Sequence, residues 1–530
     1  MFSPTFYYVN DNMQVCQVFF NRKGVIMISR RSFLSKTALG ILAFSSGCGL
    51  KSKRETPISS KPNILFIMSD DHAANAVSCY ESCLSKVFKT PNIDRIAKEG
   101  VRLDNCFVTN SICTPSRAVI LTGKYSHLND TEINYIRFDG SQQTCPKILQ
   151  ENGYQTAMIG KWHLRGQPTG FDYWNILVGQ GHYRNPEFME NSYDRKEHRG
   201  YATDIITDLT IDWLENRESN KPFFLMCHHK APHGGWRVHP EDKDLFKDTV
   251  FPEPETFNDD YKNRHIAKKW PSKIYPLMAK KTTHWDLDLE GMDAQHAKEK
   301  TYQHWMRKYL GCVKSLDDNI GRLLDYLKDK NILDNTLIIY TSDQGMFLGE
   351  HGWYDKRLMY EESIRIPFVA RYPKEVKPST TSTEITLNLD FAETFLDYAG
   401  VQIPDDMQGV SLRPIFKNKT PKNWRKSMLY AYYESREHYI PECRNYGVRT
   451  KRYKLICYPN GKELFDLKND PHELVNVYDK AEYLSVRKKL KKELQKLLKK
   501  YKFTEKDIPF NWYKYNQDKI EQSKNKKAFK

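Results

Sequence analysis

The chain has 530 residues, 39% hydrophobic and 13% aromatic, which is ample for a large core and too apolar for a disordered polymer. Its formal net charge is +16, but about +7 falls in the first 61 residues and about +10 in the last 50, leaving the middle close to neutral. The basicity therefore belongs to the two ends and not to a nucleic-acid-binding face, and no apolar run reaches the roughly 20 residues that cross a membrane.

In chain order, Arg30-Arg31 comes first, followed by Ser32, Phe33, Leu34 and Lys36 and a short apolar stretch from Ala38 to Phe44. This is the pattern of a twin-arginine export signal, with the export machinery as a partner. Residues 1–26 do not fit a signal peptide, and a start at Met27 places the arginine pair at the usual distance. Ser46-Gly47-Cys48 is similar to a lipoprotein cleavage site, although Ser45 stands where Leu is usual. Lipidation of Cys48 and ordinary cleavage nearby both stay open. Either places the mature protein in the periplasm or at the cell surface, with membrane contact only through a lipid on Cys48. Lys51 to Lys61 reads as a linker, so residues 1–61 form a leader, signal and linker.

PNILFIMSDD (62–71) predicts a buried strand that ends in Asp70 and Asp71. TPNIDRIAKEG (90–100) predicts a capped helix closed by Gly100. Further strands are expected at 153–163, ending in Lys161, Trp162 and His163; at 221–233, ending in a histidine loop with His233; at 335–345, ending in Asp343 and Gln344; and at 365–373. An amphipathic helix is expected at 301–328. Apolar strands alternating with helices argue for an α/β sheet covered on both faces. The polar groups follow the strands, where open α/β sheets bind ligands.

The pattern changes near residue 420. Residues 447–473 predict short antiparallel strands, and 480–501 a lysine-rich helix whose Leu484, Leu490, Leu494, Leu497 and Leu498 pack on that sheet. The expected domains are 62–420, carrying the chemistry, and 421–513, a smaller α+β unit, with a mobile basic tail at 514–530.

The eleven cysteines form no zinc pattern. Cys79 and Cys83 are close enough to pair, which spacing alone does not decide. Cys113 is not obviously half of any disulfide framework.

Adjacent aspartates at a strand end carry charge that a cation or water must take up, and oxygen ligands suit Ca²⁺ or Mg²⁺. Asp70, Asp71, Asp343 and Gln344 are the candidate metal ligands. Arg117, Lys161 and Lys356 form a cationic set, with His163 and His233 as titratable neighbours. A metal, an arginine and lysines around a tetrahedral oxyanion suit sulfuryl or phosphoryl transfer.

CTPSRAVILTGK (113–124) resembles the signature of the type I, formylglycine-dependent sulfatases of the alkaline phosphatase-like superfamily. The resemblance continues through NILFIMSDD, TPNIDRIAKEG, GKWHL, KAPH, TSDQG, GWYDKRLMYEESIRIPFV and RYKLI…ELFDLKNDPHE, over nearly all of residues 61–500. It implies an alkaline-phosphatase-like domain with a central mixed sheet flanked by helices, plus a smaller domain with an antiparallel sheet. It implies that a maturase oxidises Cys113 to formylglycine, whose hydrate attacks sulfur and also contacts Ca²⁺. Asp70, Asp71, Asp343 and Gln344 would hold the ion, with Asp343 as base. Gln344 stands where many relatives carry Asn or His. Arg117 would orient the diol, Lys161 and Lys356 bind sulfate, His233 protonate the leaving alcohol, and His163 assist the elimination that restores the aldehyde.

The stretch from Asp355 to Pro373 and the C-terminal segment are most similar to bacterial N-acetylglucosamine-6-sulfatases, which implies 6-O-desulfation of glycosaminoglycans. Trp162, Trp236, Trp353 and Tyr354 are candidate sugar-stacking surfaces, with a core role as the alternative. Other sulfated polysaccharides, such as algal ones, stay open, as do a phosphodiester or phosphonate substrate and a non-catalytic glycan-binding lipoprotein.

Overall fold

The computed structural model describes residues 61–525 except 265, 282–286 and 436–439. The expectations placed on Met27, Arg30-Arg31, Cys48 and the linker lie outside these residues.

All seven residues of Asn63–Ser69 are buried, as a strand covered on both faces requires. Alternate side chains feed different cores: Ile64, Phe66 and Met68 join one cluster, Leu65 and Ile67 the other. The strand lies at the centre of a ten-stranded mixed sheet. Thr336–Ser342, Asn63–Ser69, Phe223–His228, Gln155–Gly160 and Tyr173–Leu177 run side by side and parallel. Phe368–Arg371 and Val101–Leu103 extend one side antiparallel, with Thr380–Ser382 outermost. Glu187–Glu190 and Arg195–Glu197 fold back on the other.

Helices cover both faces, as the sequence implied. Trp305, Tyr309 and Leu316 of the helix Ala294–Asp329 join the Leu65 cluster, with Ile93, Ile96 and Ile206. Val119, Ile148 and Phe395, from Cys113–Thr122, Cys145–Glu151 and Phe391–Tyr398, join the Ile64 cluster. The long helix starts earlier than its apolar stripe suggests, because Asp293 caps it by accepting from the Gln295 and His296 amides.

Ser427–Tyr432, Asn445–Thr450, Tyr453–Tyr458 and Gly461–Asp466 form a second, antiparallel sheet. Of the expected stripe on Leu484–Lys500, Leu490, Leu494 and Leu497 are buried, while Leu484 is 42% exposed. Lys454 Nζ joins the two sheets' neighbourhoods through Glu361 at 2.9 Å and Glu473 at 2.6 Å. The expectation of a mobile tail from Lys514 does not hold for its described part, to residue 525. Pro509–Tyr515 and Gln517–Asn525 are helical, Trp512 and Ile520 are buried, and Lys519 Nζ lies 2.8 Å from Glu132. An apolar anchor and a buried acid hold a segment that composition alone marks as solvated. All described cysteines are free, Cys79 and Cys83 included. No described helix is long and apolar enough to cross a membrane.

Candidate active site

Parallel register sets the first part of the site. Ser69 pairs with Ser342, so Asp70-Asp71 and Asp343-Gln344 leave neighbouring strands side by side. Gly160 pairs with His228 on the other flank, which brings Lys161 and His163 beside the histidine loop. Gly160 is required there. Its φ is +97°, and a Cβ would sit 2.0 Å from His228 O, the atom that accepts from the Lys161 amide at 2.7 Å. Cys113 opens the helix Cys113–Thr122, all of whose residues are buried, and Arg117 lies one turn later. The positive end of that helix faces position 113. Asp71 (φ 63°) and His163 (φ 54°) hold left-handed backbone, a strain that clusters at functional sites.

These side chains meet. Arg117 Nη2 lies 2.8 Å from Asp70 Oδ2 and 2.9 Å from Asp343 Oδ2. Lys161 Nζ is 2.5 Å from Asp70, and Lys356 Nζ 2.6 Å from Asp71. His233 Nε2 sits 3.9 Å from Asp70 and 3.7 Å from Asp71. Cys113 Sγ is 3.7 Å from Asp70 Oδ1 and 3.5 Å from Gln344 Nε2. His163 reaches the cluster through Thr114, whose hydroxyl donates to His163 O at 2.8 Å and lies 3.4 Å from Nδ1.

Burial works against every charge here, and the neighbours decide the outcome. It pushes the Asp70 carboxyl upward, but Lys161, His233, Arg117 and Lys356 hold it well below the usual range. Burial, then the Asp70 charge, raises Asp343 despite Arg117. Asp71 is also raised, burial outweighing Lys356. Burial and Lys161 depress both His233 and His163 well below the ordinary histidine value, so both rings enter neutral. Burial and Asp70 push the Cys113 thiol up to about 12. As a thiol it is protonated at neutral pH and a poor nucleophile.

Asp70, Asp71 and Asp343 each offer a carboxylate oxygen within 4.8 Å of the others. Gln344 donates to Asp71 at 2.5 Å, while its Oε1 is buried with no partner. Amide nitrogen and oxygen are interchangeable by rotation, so Gln344 has the reach to add a fourth oxygen. This all-oxygen set fits a hard divalent cation such as Ca²⁺. Asp70, Cys113 and His233 form a second possible set, but its softer donor is a protonated thiol.

Two features escaped sequence reasoning, Asn134 and Lys230, and the core role held open for the aromatic residues is the one the structure shows for most of them. Asn134 Oδ1 accepts from the Thr114 amide at 2.9 Å and fixes the first turn of the Cys113 helix. The supposed stacking residues are mainly core: Trp353 is fully buried, Tyr354 is 8% exposed and Trp236 packs on Trp305. Trp162 lines a cavity, beside His163. Lys230, inside the KAPH stretch, is buried and donates to Gln180 O at 3.1 Å.

Burial and Lys161 lower Lys230 to about 7. The unfolded chain binds this proton more tightly, so the buried lysine weighs fully against folding below about pH 7, and the penalty fades toward the unfolded value. Lys230→Met is expected to raise Tm by a few degrees at about pH 6.5 and by steadily less toward about pH 10. A melting series across pH checks this; a pH-independent difference contradicts it.

Comparison with known proteins adds a second line of observation. The sulfatase family model matches residues 62–401, and the model for the N-sulphoglucosamine sulphohydrolase C-terminal region matches 349–500. The chain is 46% identical over 518 residues to an N-acetylglucosamine-6-O-sulfatase of Bacteroides thetaiotaomicron, across 88% of this chain and 91% of that relative. It is 29% identical to the N-acetylglucosamine-6-sulfatase of Homo sapiens, across 76% of this chain and 72% of the relative. The solved structure of BT4656 in complex with its substrate D-glucosamine-2-N,6-O-disulfate matches with a TM-score of 0.78 at 45% identity, covering 84% of this chain and 99% of that one.

Proposed function

The chain belongs to the sulfatase family and is a sulfuric ester hydrolase, and we propose that it removes 6-O-sulfate from N-acetylglucosamine units of glycosaminoglycan-type glycans. The sugar in the name of the 46% identical relative supports that choice, and the 6-O-sulfated glucosamine in the BT4656 complex supports the position. The observation that carries the reading is the setting of Cys113. Its buried Sγ faces Asp70, with Arg117, Lys161 and His233 all gathered on the same carboxylate.

In this reading a maturase oxidises Cys113 to formylglycine, and the hydrated aldehyde supplies a hydroxyl nucleophile where the thiol is unreactive. Asp70, Asp71, Asp343 and Gln344 would hold Ca²⁺, whose charge would help to neutralise the sulfate group. Arg117 keeps Asp70 and Asp343 in register with position 113. Lys161 and Lys356 bring ammonium groups to the sulfate oxygens. His233 enters neutral, and an anionic sulfate beside it favours its protonation, which equips it to donate to the departing sugar alcohol. His163, held beside Cys113 by Thr114, stands ready to take a proton from position 113.

Sulfate released from 6-sulfated N-acetylglucosamine by the matured protein, and not from its 3- or 4-sulfated isomers, is the expected result. Release only from another position would reject the substrate. Removal of the cation by EDTA is expected to lower both activity and Tm. Calcium at about 100 times its Kd should return roughly 2.7 kcal/mol of stability, read as a Tm rise of several degrees. A Tm indifferent to EDTA and calcium would contradict the metal assignment.

The Arg30-Arg31 motif supports export as a further part of the proposal, tested by fractionating cells that express the natural chain. Retention in the cytoplasm would reject it.

A further inference from the structure

Beside the carboxylate cluster lies a cavity of about 370 Å³, bounded by Trp162–Gly166, the end of the Tyr173–Leu177 strand, the loop after it and the hairpin that follows. It shares His163 with the catalytic centre, where that residue meets Thr114 next to Cys113. The loop is also tied to the His233 segment: Tyr183 donates to His233 O at 2.7 Å, and Lys230 Nζ to Gln180 O at 3.1 Å. None of the steps at sulfur uses this space.

Its lining is chemically mixed in a particular way. Trp162 and Ile176 supply an apolar wall, and the indole is fixed by its Nε1–H donating to Gly166 O at 2.6 Å. Gln180 also lines the cavity, its backbone oxygen held by Lys230 Nζ. Arg165 and Arg195 line it too, Arg165 oriented by its Nε donating to Asn134 O at 2.9 Å. The acid among these groups is Glu187, 3.9 Å from Arg195. The volume lies at the small end of ligand pockets and is generous for a bare anion. A fixed indole and an excess of cations together suit one acidic sugar ring.

We propose that this cavity is a subsite for the sugar next to the sulfated one, and that it selects a ring bearing an anionic substituent, carboxylate or sulfate. The proposal rests on the glycan-sulfatase reading above and extends it from a single residue to an acidic oligosaccharide. Arg195 is exposed, so its removal leaves the core untouched.

The test is calorimetric binding to Cys113→Ser protein, which needs no turnover. Three disaccharides share a 6-O-sulfated N-acetylglucosamine and differ in the neighbour: a uronate, a sulfated galactose or a neutral galactose. The acidic pair is expected to bind roughly three- to tenfold more tightly than the neutral one, and the tighter arm identifies carboxylate or sulfate. Arg195→Ala should erase most of that preference and Glu187→Gln should widen it. Equal binding of all three, or a preference that survives both Arg195→Ala and Arg165→Ala, overturns the subsite. Sulfate release from the 6-sulfated monosaccharide by matured Cys113 protein is measured alongside. Its absence counts against the proposed activity, while the binding preference is judged separately.

Discussion

Replacing Cys113 with alanine is expected to lower sulfate release by on the order of 10⁴-fold or more, because the attacking atom is built from this side chain. Stability should barely change. The thiol is buried and makes only the long contacts to Asp70 and Gln344, so its loss leaves a small void worth about 1 kcal/mol. In a protein of this size that is a Tm shift of no more than about 3 °C. Cys113→Ser is expected to be equally inactive in steady turnover. A hydroxyl that attacks once has no second hydroxyl to expel the sulfate. Turnover of either variant within tenfold of the matured protein would show that position 113 is not the nucleophile.

Arg117→Ala should have the largest combined effect. The guanidinium is 2% exposed and bridges Asp70 and Asp343. Asp70 keeps Lys161 at 2.5 Å, but Asp343 loses its nearest counterion. Removing one partner of a buried ion pair costs roughly 3–5 kcal/mol, and activity should fall at least about 100-fold as the acids drift from position 113. The sign with pH follows from Asp343. Its folded pKa is already raised above the unfolded value, so its ionisation weighs against folding as pH rises through the folded pKa. Without Arg117 that window moves higher still. The Tm deficit of the variant should therefore be smaller at about pH 5 than at about pH 8, and saturating calcium should narrow it. Thermal melts with and without calcium at the two pH values check this. A deficit independent of both would separate Arg117 from the acid cluster.

Much of this site was legible because its residues sit where apolar runs stop. Asp70, Lys161, His233 and Asp343 each follow a buried parallel strand, and the strands' pairing, invisible in the sequence, brings those ends together. Arg117 was legible through the signature it shares with Cys113, while the helix that sets it one turn from that residue was seen only in the structure. What stayed hidden depends on facing. Trp353 and Tyr354 are buried, in line with the core role weighed for them, but composition could not say which of the four aromatic residues would instead border a cavity. The last two strands of the sheet, Glu187–Glu190 and the edge strand Arg195–Glu197, carry charge and almost no apolar run, so the hairpin that walls the cavity gave no strand signal. Ser427–Tyr432 was missed for a related reason. Its aromatic-rich SMLYAY lies across a long loop from the strand it pairs with. The tail looked solvated because its lysines outnumber its anchors, and Ile520 with the Lys519–Glu132 pair is enough to reverse that.

The most direct test of the central claim joins two readouts on one sample: the mass of the peptide containing residue 113, and sulfate released from 6-sulfated N-acetylglucosamine. The account predicts that release rises in proportion to the fraction of Cys113 converted to the aldehyde, and is absent from unconverted protein. Sulfate release by protein whose Cys113 is still a thiol would contradict it, as would fully converted, calcium-loaded protein that leaves the 6-sulfate in place.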